Sequence, residues 1–148
     1  MTLRTRVLDR GVGQAMASLS AAAKKGLGDP ALAELVVIRA SQLNHCAFCL
    51  DMHLTVAREL GVSEGTLDLL AAWEEAEGVF DERERAALAL TEAVTVLTEG
   101  FVPDPVYSRA AEHFDDVRLA HLVGLVTAIN NWNRVMVSRR IEPGGYRP

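Results

Sequence analysis

Helix starts and stops punctuate this sequence, and no β-branched run alternates strictly enough to read as a strand. Asp29-Pro30 pairs a capping carboxylate with a proline suited to the first helical position. A helix therefore opens there and runs through "ALAELVVIRASQL". A new helical stretch begins near Cys46 and stops at Gly61. Ser63 opens a third, "VSEGTLDLLAAWEEA". Asp81 and Glu84 stand at capping-box spacing and open a segment that is expected to stop at Gly100. Asp104-Pro105 repeats the Asp-Pro start. The longest segment, "DDVRLAHLVGLVTAINNWNRVMVSRR", is apolar around most of its circumference, which predicts a central helix buried on several sides. An earlier helix is expected over about residues 12–25, and the tail "IEPGGYRP" is expected to be non-helical and to lie over a neighbour. The sum is an all-α bundle of roughly six or seven helices, with residues 1–148 forming one domain. The broad apolar surface of the last helix also suggests a contact between subunits.

Bulk composition excludes several partners. Apolar residues make up 49% and charged residues 24% of 148, which is the balance of a folded chain. A net charge of -5 gives no electrostatic footprint for nucleic acid or an anionic membrane, so neither is expected as a partner. The longest apolar stretch, "LAHLVGLVTAI", is too short to span a bilayer. No apolar segment follows the N-terminal arginines, so the expected compartment is the cytoplasm. In a reducing cytosol, a cysteine pair is more often catalytic or metal-binding than a permanent staple.

The chemistry concentrates in "ASQLNHCAFCLDMH", residues 40–53, which holds both cysteines and two of the four histidines. Cys46, Cys49 and His53 recur at i, i+3 and i+7, which puts them on one helix face. A C-x-x-C at a helix start lets two sulfurs meet. There the unpaired N–H groups and the helix dipole favour thiolate over thiol. His53, one turn beyond Cys49, is placed to reach the sulfur directly or through one water, as a base or proton carrier. Such a histidine needs a group to fix its tautomer. Glu34, within "ALAELVVIRA", is the candidate; it is either a solvated edge residue or a buried functional group. The plainer readings are buried thiols, a structural disulfide, or a zinc site drawing on Cys46, Cys49, His53 and His45. Zinc is disfavoured because a structural site draws its second ligand pair from a distant segment.

The pattern Glu34-x11-Cys46-x-x-Cys49-x-x-x-His53 closely resembles the alkylhydroperoxidase core of the AhpD-like, carboxymuconolactone decarboxylase superfamily. The resemblance continues through "LTVARELGVSE", "DERERAALALTEAVT" and "AINNWNR". It implies an all-α trimer or hexamer that reduces hydroperoxides through the cysteine pair. By resemblance, Cys49 is the peroxidatic thiolate, Cys46 the resolving thiol, and His53 with Glu34 the proton relay. No bound cofactor is implied, but a dithiol or protein reductant is needed to reopen the disulfide. His45 stands where many relatives carry a small residue, often glycine. Phe48 takes the place of a relay histidine in the characterised hydroperoxidase type. Decarboxylases proper of the superfamily generally lack the cysteine pair, which argues against lactone decarboxylation. The alternatives carried forward are a thiol–disulfide oxidoreductase acting on protein disulfides and a non-catalytic redox-sensing oligomer.

Other residues read more plainly. His45 is expected at a solvent-facing turn, His121 as a hydrogen-bonded core histidine, and His113 as a residue at a helix end. "NNWNR" is assigned to a hydrogen-bonded core or subunit contact. Phe48, Met52 and Trp73 are assigned to packing, with Phe48 also placed to line a pocket. "DERERA" is a solvated helix face.

Overall fold

The structure is a computed structural model that describes residues 4, 5 and 7–145. Seven α-helices follow one another, with no strand among the described residues. They are α1 (Arg10–Leu27), α2 (Pro30–Leu43), α3 (Ala47–Glu59), α4 (Glu64–Leu69), α5 (Glu82–Thr95), α6 (Asp104–His113) and α7 (Asp116–Arg139). A 3-10 turn, Leu70–Ala72, continues α4.

The starts follow local chemistry. Asp9, Asp29, Ser63, Asp81 and Asp115 each accept a hydrogen bond from a backbone N–H of the helix they open. Asp81 and Glu84 complete the capping box in both directions. At α6 the cap is Pro103, so Asp104 is the first helical residue and Pro105 the second, one place later than the Asp-Pro start implies.

One stop differs from expectation. α5 ends at Thr95, well before Gly100. Thr91, Val94, Thr95 and Val96 are β-branched and weak helix formers. The Thr95 hydroxyl is also tied to α7, accepting from Asn130 Nδ2 at 3.0 Å.

The helix enclosed on all sides is α2, not α7. Every residue from Leu32 to Ile38 is buried, as are Ala40 and Ser41. Its two ionic side chains face partners on other helices: Glu34 meets Lys24 and His53, and Arg39 meets Glu92 on α5. α7 buries one side through Leu122, Leu125, Val126 and Ile129 but leaves Val117 and Val137 exposed. One core cluster joins α2 to α1, α5 and α7; a second joins α2 to α3, α4 and α5. Trp73 is buried in the second, its indole N–H donating to Glu92. His113 closes α6, and His121, half-buried rather than in the core, donates from Nδ1 to the Val117 carbonyl at 2.7 Å. Residues 141–145 are non-helical, and the Gly144 N–H donates to Asp51 on α3. The rest of the expected tail, residues 146–148, lies outside the described residues. No helix among the described residues is long and apolar enough to cross a membrane.

Candidate active site

The turn between α2 and α3 sets the geometry. The His45 N–H bonds to the Gln42 carbonyl and the Cys46 N–H to the Ser41 carbonyl, the paired bonds of a Schellman stop. That stop needs a left-handed residue, and His45 supplies it with φ 54° while its side chain faces solvent. The chain leaves the turn with Cys46 as the cap of α3, its sulfur accepting from the Cys49 N–H at 3.3 Å. Cys46 and Cys49 are joined as a disulfide. The two residues are 1% and 2% exposed.

A polar network braces this turn from α7. Asn44 Nδ2 donates at 2.9 Å to both Asn130 Oδ1 and Asn133 Oδ1. Asn133 Nδ2 donates in turn to the Ser41 hydroxyl. Asn130 and Asn133 of "NNWNR" therefore have the hydrogen-bonded core role their sequence suggested, whereas Asn131 is exposed.

His53, one turn beyond Cys49, points its Nδ1 at Glu34 Oε2, 2.7 Å away. Glu34 is 2% exposed, so the buried alternative for this residue holds. Its other oxygen accepts from Lys24 Nζ of α1 at 2.5 Å. Burial opposes the charged carboxylate, but the hydrogen bonds and charges of His53 and then Lys24 outweigh it. The carboxyl is held below the usual glutamate range. A carboxylate only accepts, so Nδ1 carries the proton of the shared hydrogen bond. The second ring nitrogen, Nε2, is left for other partners.

Cys49 and His53 open onto a cavity of about 500 Å³ enclosed by α1, α2, α3 and α7. Phe48 and Met52 of α3 and Trp132 of α7 supply apolar wall, and Lys24 its one ionic group. Cys46 is not part of that wall. Phe48 thus lines a pocket, and half-buried Met52 lines it too, rather than filling the core. Among the described residues, no three His, Cys, Asp or Glu side chains gather as a metal site.

The four residues singled out in the sequence fall into two bonded pairs, Cys46–Cys49 and Glu34–His53, on adjacent helices. Lys24 was missed. It belongs to a different helix and follows no spacing rule with Glu34, so only the α1 packing reveals it.

Residues 3–93 match the carboxymuconolactone decarboxylase family. YdfG of Bacillus subtilis (strain 168), an uncharacterized protein, is 42% identical over 105 residues, 71% of each chain. The crystal structure of an Agrobacterium tumefaciens protein of unknown function, a candidate AhpD antioxidant defence protein, superposes with a TM-score of 0.91. It is 30% identical, over 98% of this chain and 100% of that one. An uncharacterized peroxidase-related protein from Ralstonia eutropha JMP134, with an alkylhydroperoxidase AhpD core, shares the fold at a TM-score of 0.75. Its identity is 20%, over 92% of this chain and 73% of that one.

Proposed function

Because the chain belongs to the carboxymuconolactone decarboxylase family and has the AhpD-like fold, we propose that it is a thiol-dependent peroxidase acting on organic hydroperoxides. The observation that carries this reading is the cavity wall formed by Cys49 and His53, with Glu34 hydrogen-bonded behind the imidazole.

In the reduced protein, the Cys49 thiolate attacks the distal oxygen of a hydroperoxide. The O–O bond breaks, the thiolate becomes a sulfenic acid, and the leaving alkoxide takes a proton to depart as an alcohol. His53, fixed by Glu34, accepts the Cys49 proton and returns it to the leaving oxygen. The Cys46 thiol then attacks the sulfenic acid, water leaves, and the disulfide closes. Two thiols of an external reductant reopen it by exchange. The bond between Cys46 and Cys49 in this structure corresponds to the oxidised end of that cycle.

Burial of both sulfurs favours an oxidant small enough to enter the cavity over a protein disulfide, which needs a sulfur at the surface. The same burial favours a small dithiol as reductant. The reading includes a cytoplasmic homo-oligomer, trimer or hexamer, for which the exposed Val117 and Val137 of α7 offer apolar contact surface.

The test is the rate at which reduced protein loses its two thiols to cumene hydroperoxide, measured against free cysteine. The expected rate is far above free cysteine and is lost in Cys49→Ser. Cys46→Ser keeps the first oxidation and accumulates a sulfenic acid that dimedone traps. His53→Ala, folded as judged by circular dichroism, slows the first oxidation by about 100-fold or more. A parent rate no faster than free cysteine rejects the peroxidase reading.

A further inference from the structure

We propose that Lys24 is a third member of the proton relay, a positioning residue that sets when the Glu34–His53 pair takes up a proton. This rests on the relay reading above and adds a residue from a separate helix to it.

The geometry divides the Glu34 carboxylate between two donors. Oε2 faces His53 Nδ1 at 2.7 Å, and Oε1 faces Lys24 Nζ at 2.5 Å. Each oxygen is thereby committed, and the carboxylate plane is fixed from both sides. Lys24 spans two environments. Its side chain is 36% exposed, yet it borders the cavity that Cys49 and His53 share. It is the connection between a carboxylate otherwise sealed from water and the solvent edge of the cavity.

A lone buried Glu–His pair tends to hold an extra proton, because the imidazolium then neutralises the carboxylate. An imidazole that is already protonated cannot accept the proton of Cys49. A fixed ammonium on the far oxygen supplies that neutralising charge instead, so the imidazole need not. Lys24 therefore moves proton uptake by the pair to lower pH and leaves Nε2 free as a base.

Among the described residues, no other cationic side chain than Lys24 and the His53 imidazole pairs with Glu34. On α1, Lys25 is exposed, and it is Lys24 that makes the contact with Glu34. On α3, the sulfurs next to His53 are in the disulfide and do not titrate. The α7 wall of the cavity contributes Leu125, Ile129, Trp132 and Met136, none of them ionic. On α5, Glu92 is taken up by Arg39 and Trp73. The side chains that contact the Glu34 carboxylate are thus His53 on one oxygen and Lys24 on the other.

The experiment uses the disulfide form, where no thiol titrates. The His53 ring signals and the Glu34 carboxyl signal are followed against pH by NMR in the parent, Lys24→Met and Lys24→Arg. The expected result is that the pair takes up its proton about one pH unit higher in Lys24→Met and within a few tenths of the parent in Lys24→Arg. A Lys24→Met titration that coincides with the parent overturns the proposal, as does an equal displacement in Lys24→Arg. Should Lys24→Met fail to fold, Lys24→Gln is read by the same criteria. None of this depends on turnover. The acidic limb of thiol oxidation by cumene hydroperoxide, measured on the same variants, then moves with the NMR midpoint. If the parent shows no peroxidase rate but the NMR midpoint still moves, the peroxidase reading falls and the role of Lys24 in the pair stands.

Discussion

Glu34 gives up its solvent on every side and keeps its charge, which makes its contribution to stability depend on pH. Its carboxyl is held below the usual range in the folded chain. Between the folded and unfolded titration points, the unfolded chain binds the additional proton, so stability rises with pH there. The contribution is complete above the unfolded value and is lost as pH falls through the folded one. Glu34→Gln cannot titrate and leaves Lys24 without its counter-charge. We expect the gap in urea midpoint between parent and Glu34→Gln to be widest above about pH 5 and to narrow towards pH 3. A gap that stays constant over that range would mean that Glu34 acts through shape alone. His45 makes a second prediction. A non-glycine residue at φ 54° costs about 1 kcal/mol, so His45→Gly should stabilise the chain by roughly 0.5–1 kcal/mol in urea unfolding. The sequence had marked both residues, Glu34 by its apolar neighbours and His45 by its place beside Cys46. Lys24 carried no such mark, because the ion pair exists only once α1 has packed.

At the scale of helices, starts were legible and enclosure was not. A cap is local chemistry between a side chain and N–H groups two or three residues on, so Asp29, Ser63 and Asp81 could be read directly. Which helix lies at the centre depends on all the others. α7 has the longer apolar run, but α2 is the helix with neighbours on every side. The stop of α5 was hidden for a related reason, since the bond from Asn130 to Thr95 crosses between helices. The packing of α1 on α7 gives a sharp test of such a contact. A Cβ added at Gly26 would lie 1.9 Å from His121 Cδ2, and that ring is held to the Val117 carbonyl. Gly26→Ala should therefore cost roughly 1–3 kcal/mol in urea unfolding. In a His121→Ala background the same change should cost far less, a coupling that a double-mutant cycle reads directly. Additive effects would show that the two helices have room to move apart.

For the whole molecule, the cavity follows from how the helices meet. α3 brings Cys49 and His53, α7 brings Trp132, and α1 closes the remaining side with small residues. Ala17 and Ala21 of α1 line the cavity and are also exposed, which puts them at its opening. Trp132 is fixed across that opening, its indole N–H donating to Ser20 of α1 at 3.1 Å. Substrate size is then decided at the α1 rim, away from the sulfurs. Ala21→Trp should leave stability nearly unchanged, because the position is at the surface. It should slow oxidation of the reduced thiols by cumene hydroperoxide by about tenfold or more, while the rate with hydrogen peroxide changes little. Equal slowing of both oxidants would mean that the added ring disturbs Cys49 itself. No slowing of either would mean that hydroperoxides reach Cys49 by a route that does not pass α1.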